Sequence, residues 1–163
     1  MINIKKLLLI FLLILITSCS NDVKIEKEVY NQFLKEITNA TEDKFNKTLP
    51  FDIDVSFDAL KEIEIAYQVT IDNPRENIRN IKVIAVHDQE TKDLFPTSGI
   101  FEEPLNLIPN VVNLDSNYVK GIILVGYIPY TGYIENFTGE IKVLIEYEDD
   151  LSNLHQVFYR FEI

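Results

Sequence analysis

Apolar positions change their period once along this chain, and the change divides it. Between Lys24 and Ala40 the residues Ile25, Val29, Phe33 and Ile37 recur every fourth position, with Tyr30 and Leu34 beside them. That spacing places one apolar face on an amphipathic helix over 25–40, with Asn39 as a stop. About four turns without continuation make a poor zipper, so the helix is expected to lie on a sheet.

From residue 51 onward the period is two. Phe51, Ile53, Val55 and Phe57 alternate with Asp52, Asp54 and Ser56, and Ile63, Ile65, Tyr67, Val69 and Ile71 alternate with Glu62, Glu64, Gln68 and Thr70. Both segments read as strands with one buried face, the second ending at Asp72-Asn73-Pro74, where turn-forming side chains meet a residue with no N–H. The next strand, from Ile78 or Ile81 to His87, is apolar on both faces. That predicts a central strand or one covered by the helix.

Leu94 and Phe95 suggest a brief edge strand before Pro96, Ser98 and Gly99 interrupt it. Pro104 and Pro109 limit 101–112 to a short strand or bridge. Tyr118 to Tyr127 sets Ile122, Leu124 and Gly126 against Ile123, Val125 and Tyr127, with Gly121 and Gly126 marking close packing or bulges. Two clear strands follow. Ile141, Val143, Ile145 and Tyr147 share a face of the first; Val157, Tyr159, Phe161 and Ile163 share a face of the last, which is expected to pin the C-terminus in a sheet.

About seven strands without βαβ alternation predict a mainly β fold of two packed antiparallel sheets with one N-terminal helix. The alternative is an α+β domain with the helix packed on an antiparallel sheet. Val69-Thr-Ile-Asp-Asn-Pro74, the hydrophobic strand after it and the late strand carrying Gly121 and Gly126 resemble the immunoglobulin-like accessory domains of exported bacterial proteins. The resemblance implies an immunoglobulin-like sandwich, although the chain has neither paired cysteines nor tryptophan.

The N-terminus carries an address. Lys5 and Lys6 precede the apolar run Leu7 to Ile16, which is followed by Thr17, Ser18 and Cys19. This is the layout of an export signal, and the run is shorter than the roughly 20 residues a membrane-spanning helix needs. Ile16-Thr17-Ser18-Cys19 resembles the lipobox of bacterial lipoproteins. The resemblance implies cleavage after Ser18, diacylglycerol on the Cys19 thiol and acylation of the new amino terminus, with palmitate as the expected chain. The expected organisation is then signal peptide 1–18, lipidated tether 19–24 and one β-rich domain 25–163. The chain would sit on the cell membrane or outer membrane through its lipid, with the domain facing the periplasm or the exterior. Asp does not directly follow Cys19, which in a two-membrane host favours the outer membrane.

Cleavage would leave 145 residues, a single-domain length, with 13 basic against 26 acidic residues, a formal charge of −13. Such a surface repels phosphate backbones and anionic headgroups, so no nucleic-acid partner is expected. One cysteine makes no internal disulfide, and packing must supply the stability.

Reaction chemistry is sparse. His87 and His155 are the two histidines, neither in a zinc motif or nucleophile elbow, and the five glycines form no phosphate cradle. No enzyme activity and no cofactor are expected. The aromatic run Tyr127, Tyr130, Tyr133 and Phe137, broken by Pro129 and Gly132, is the candidate for partner contact, because a tyrosine buries a ring and keeps a wet hydroxyl. Closing the end of the core is the other use for such rings. Glu146, Glu148, Asp149 and Asp150 are a calcium candidate by ligand type, without the EF-hand spacing. The resulting expectation is a membrane-anchored, noncatalytic lipoprotein that contacts an envelope or extracellular protein. A small-ligand or calcium-binding accessory lipoprotein is the alternative.

Overall fold

Strict alternation forms the first pair of strands in a computed structural model that describes residues 27–60, 64–89, 97–109 and 117–163. Strand β1 (Asp52–Leu60) pairs antiparallel with β2 (Glu64–Asp72). The second ends where expected, with Asn73 in the left-handed region at φ 47°. There Arg75 N–H donates to the Pro50 carbonyl at 2.7 Å and the Arg75 guanidinium pairs with Asp52.

Five more strands follow: β3 (Ile78–His87), β4 (Thr97–Leu107), β5 (Gly121–Pro129), β6 (Glu140–Glu148) and β7 (Leu154–Glu162). They form a three-stranded sheet, β1-β2-β5, and a four-stranded sheet, β4-β3-β6-β7, with every pairing antiparallel. Ile65, Tyr67, Val69 and Ile71 of one sheet pack against Ile81, Val83, Ala85, Val143 and Ile145 of the other to form the main core.

Helix α1 (27–38) lies on the outer face of the four-stranded sheet. Phe33 and Ile37, both fully buried, cover Ile84, Val86, Leu144 and Phe158, and the rings of Tyr30 and Phe33 meet Phe101 edge-on at 5.8 and 5.2 Å. This explains the two apolar faces of β3, which is a central strand facing the sandwich on one side and the helix on the other. Among the described residues the architecture is mainly β, with two sheets and one α-helix in three layers, so the sandwich and the helix-on-sheet expectations coexist.

Segment 97–107 departs from expectation. Instead of a short bridge starting at 101, β4 is an eleven-residue strand in which Ser98 and Gly99 pair with Ala85 and Ile84. It tolerates Pro104 because it is an edge strand whose register with β3 passes from Leu105, opposite Ile81, to Ile100, opposite Val83, so that 101–104 have no ladder partner and the missing N–H breaks no ladder bond. The expected edge strand at Leu94 and Phe95 and helical residues 25 and 26 lie outside the described residues.

Strand β7 is also at an edge, but the chain after α1 covers it. Phe45 bridges to Phe158, Asn46 N–H donates to the Phe158 carbonyl at 2.8 Å, and Phe158 N–H donates to Asn46 Oδ1 at 2.8 Å. Arg160 adds a fork to Glu42, with Nη2 to Oε2 at 2.7 Å, while its guanidinium lies 5.0 Å from the centre of the Phe45 ring.

Candidate interaction surface

Because β5 alternates strictly, it sends Ile122, Leu124, Gly126 and Ile128 inward and Ile123, Val125 and Tyr127 outward. The inner set is held in place by Tyr67, which is completely buried and whose ring lies over Gly126, its register partner on β2. Any Cβ at 126 would overlap that ring. The close approach fulfils one of the two expectations for Gly126. Tyr67 then donates its hydroxyl to the Ala85 carbonyl of β3 at 3.3 Å, linking the two sheets. Burial pushes its phenol above its ordinary value.

The outer set is open to solvent: Ile123, Val125 and Tyr127 are 56%, 45% and 52% exposed. Register places each in a row across the three-stranded sheet. Ile123 lies beside Thr70 and Asp54, Val125 beside Gln68 and Ser56, and Tyr127 beside Ala66 and Asp58. Over these three rows the face is therefore graded from acidic at Asp54 and Asp58 of β1, through neutral on β2, to apolar on β5, with Glu64 and Asp72 of β2 at the two ends. Asp54 and Asp58 pair with no cation among the described residues, whereas Asp52 is held by Arg75 and Asn73.

The aromatic candidates divide in two. Phe137 is buried and Tyr130 half-buried; their rings meet at 5.1 Å, and Phe137 also lies 6.1 Å from Phe57, so this pair closes the end of the core. Tyr127 and Tyr133 point to solvent, Tyr133 with 79% of its surface exposed. The roles alternate along the chain, and the short 3-10 turn Ile134–Asn136 lies between the exposed Tyr133 and the buried Phe137. Sequence reasoning grouped the four rings by proximity and missed Ile123 and Val125. The available signal was the alternation of β5, but nothing in it indicates which face remains uncovered.

The carboxylates at the β6–β7 turn do not converge. Glu146 is buried and takes Lys82 Nζ at 3.0 Å and Gln156 Nε2 at 3.2 Å; Glu148 accepts from Asn80 at 2.9 Å. Asp150 accepts from Asn77 at 2.7 Å and Arg79 at 3.3 Å. Asp149 organises the turn, taking the N–H groups of Leu151 and Asn153 at 2.8 and 2.9 Å, with His155 Nε2 at 2.9 Å. The His155 contact, then the Asn153 bonds, hold its carboxyl well below the usual range. Among the described residues no three metal-binding side chains come together.

His87 ends β3 on the core side, its ring 6.1 Å from that of Tyr67, and neither ring nitrogen has a hydrogen-bond partner among the described residues. Burial lowers its pKa below the ordinary value, more than neighbouring Asp88 raises it. Cys19 and the signal lie outside the described residues, and no described helix is long and apolar enough to cross a membrane.

What the fold and this surface define together is a two-sheet β domain with one outer face under a helix and the other uncovered among the described residues. The chain matches no protein-family model and no curated protein.

Proposed function

We propose that this chain is a membrane-anchored, noncatalytic lipoprotein of the bacterial cell envelope whose immunoglobulin-like domain binds another protein. The supporting observation is the row Ile123, Val125 and Tyr127, exposed on a strand without a charged residue in a chain of net charge −11. Surfaces that keep apolar and aromatic side chains in solvent mark interaction sites more often than chance exposure does. The Ile16-Thr17-Ser18-Cys19 run supports the address, with Cys19 as the lipid-bearing first residue after cleavage. The strand division supports the immunoglobulin-like assignment: seven strands among the described residues, with the chain crossing between sheets after β2, β4 and β5. In the constant-type arrangement the fourth strand joins the sheet of the first two; here β4 pairs with β3.

Two measurements on the full chain test the proposal. An alkyne-tagged palmitate should label the wild-type protein and move it to the membrane fraction, and both effects should vanish in Cys19→Ser. Crosslinking in intact cells should then recover a specific envelope protein, with recovery reduced by substitution of Tyr127 and Tyr133. Absence of label removes the anchor; hydrolytic activity in the purified protein with no recovered partner removes the noncatalytic role.

A further inference from the structure

Charge narrows the class of partner. Across the open face, the acidic row on β1 and the apolar row on β5 stand two strand spacings apart, about 10 Å. That is the diameter of one helix. Along β5, Ile123 to Tyr127 extends about 14 Å, matched by roughly nine helical residues. The molecule already holds such an arrangement on its other side, where α1 seats Phe33 and Ile37 on the outer face of the four-stranded sheet. A second copy of this chain would bring its own acidic surface against Asp54 and Asp58, and anionic lipid headgroups would meet the same repulsion. A positively charged partner gains from both features.

We propose that the outer face of β1-β2-β5 docks a cationic amphipathic helix of a partner protein. The apolar side of the helix rests on Ile123, Val125 and Tyr127, and its lysines or arginines face Asp54 and Asp58. The proposal rests on the protein-binding role above and specifies the chemistry of the partner.

The test uses the full-length protein in micelles of an uncharged detergent, with empty micelles as blank, and a labelled 14-residue Leu/Lys peptide patterned as an amphipathic helix. A Leu/Glu peptide of the same pattern is the control. The Leu/Lys peptide should bind. Ile123→Ser with Val125→Ser should weaken it about tenfold or more, since each buried aliphatic side chain contributes on that scale. Asp54→Asn with Asp58→Asn should weaken it about threefold and flatten its salt dependence, as expected for exposed charge pairs. Leu151→Ser with Leu154→Ser, exposed apolar residues in the β6–β7 turn and at the start of β7, should change nothing. Unchanged thermal unfolding in the face variants shows that they fold.

Equal binding of the Leu/Glu peptide, or affinity unaffected by Ile123→Ser with Val125→Ser, overturns the proposal. So does a concentration-dependent dimer that this double substitution abolishes, which would make the occupant a second copy. An envelope protein captured equally well by the face variants keeps the protein-binding role and rejects this surface.

Discussion

The two outer faces of the sandwich carry similar apolar strands and have opposite fates. On the four-stranded sheet, Ile84, Val86, Leu144 and Phe158 are buried beneath α1; on the three-stranded sheet, Ile123, Val125 and Tyr127 remain in solvent. Strand composition alone does not separate them. What differs is the neighbouring chain: the covered face has α1 upstream, fastened by Phe45, Asn46 and Arg160, while the open face has acids along its far strand. An apolar strand face therefore specifies a cover without saying whether the chain itself supplies it.

The largest expected effect separates the faces directly. Phe33→Ala should destabilise the fold by ~3 to 5 kcal/mol, the cost of emptying a buried aromatic site, whereas Val125→Ala should stay within about 0.5 kcal/mol. Urea unfolding of the two variants measures the difference, and equal losses would show that the open face is buried in solution.

A smaller effect comes from the inner side of β5. Gly126→Ala forces a methyl group into the Tyr67 ring, and overpacking of this kind costs about 1 to 3 kcal/mol. Combining it with Tyr67→Leu should give less than the sum of the two losses, because removing the ring makes room for the methyl. Additive losses in a double-mutant cycle would refute the contact.

The pH dependence follows from His87. Its folded pKa is depressed, so the unfolded chain binds a proton more readily. Stability is full above the ordinary histidine value of about 6.5 and falls as pH drops through that value toward the lower folded one. His87→Phe should remove this limb of a plot of melting temperature against pH between about 7 and 5. Persistence of the limb in the variant would assign it elsewhere.

The smallest effect tests the fastening of the covered face. Arg160→Met should lower the urea midpoint only slightly, by an amount that shrinks with added salt, because its pairing with Glu42 is at the surface. Hydrogen exchange in 27–46 should rise more than in β1-β2-β5 if the guanidinium holds the helix and its following segment in place.

Much of the fold was legible because its periods are clean. The alternations at Phe51 to Phe57 and Ile65 to Ile71 have one apolar face, that at Ile141 to Tyr147 has one complete apolar face with Leu144 on the other, and each became a strand with the complete face inward. The doubly apolar β3 correctly indicated cover on both sides. Segment 97–107 was misjudged because Pro104 and Gly99 disfavour a strand in general, and local sequence does not reveal that a strand will lie at an edge. The candidate surface was half legible. Tyr127 and Tyr133 stand exposed as a binding loop would need, but Tyr130 and Phe137 close the core, a division set by tertiary packing. Ile123 and Val125 went unrecognised because β5 resembles β3 in composition, while β3 has α1 above it and β5 has solvent.

The contact between Tyr67 and Ala85 has a consequence for biogenesis. Where some sandwiches join their sheets by oxidising two thiols, this domain has a buried phenol donating to a carbonyl across a glycine gap. Such a link needs no electron acceptor to form and no reductant can cut it. The domain should therefore reach and keep the same structure in oxidising and in reducing solution, with its folding independent of thiol oxidase or disulfide isomerase.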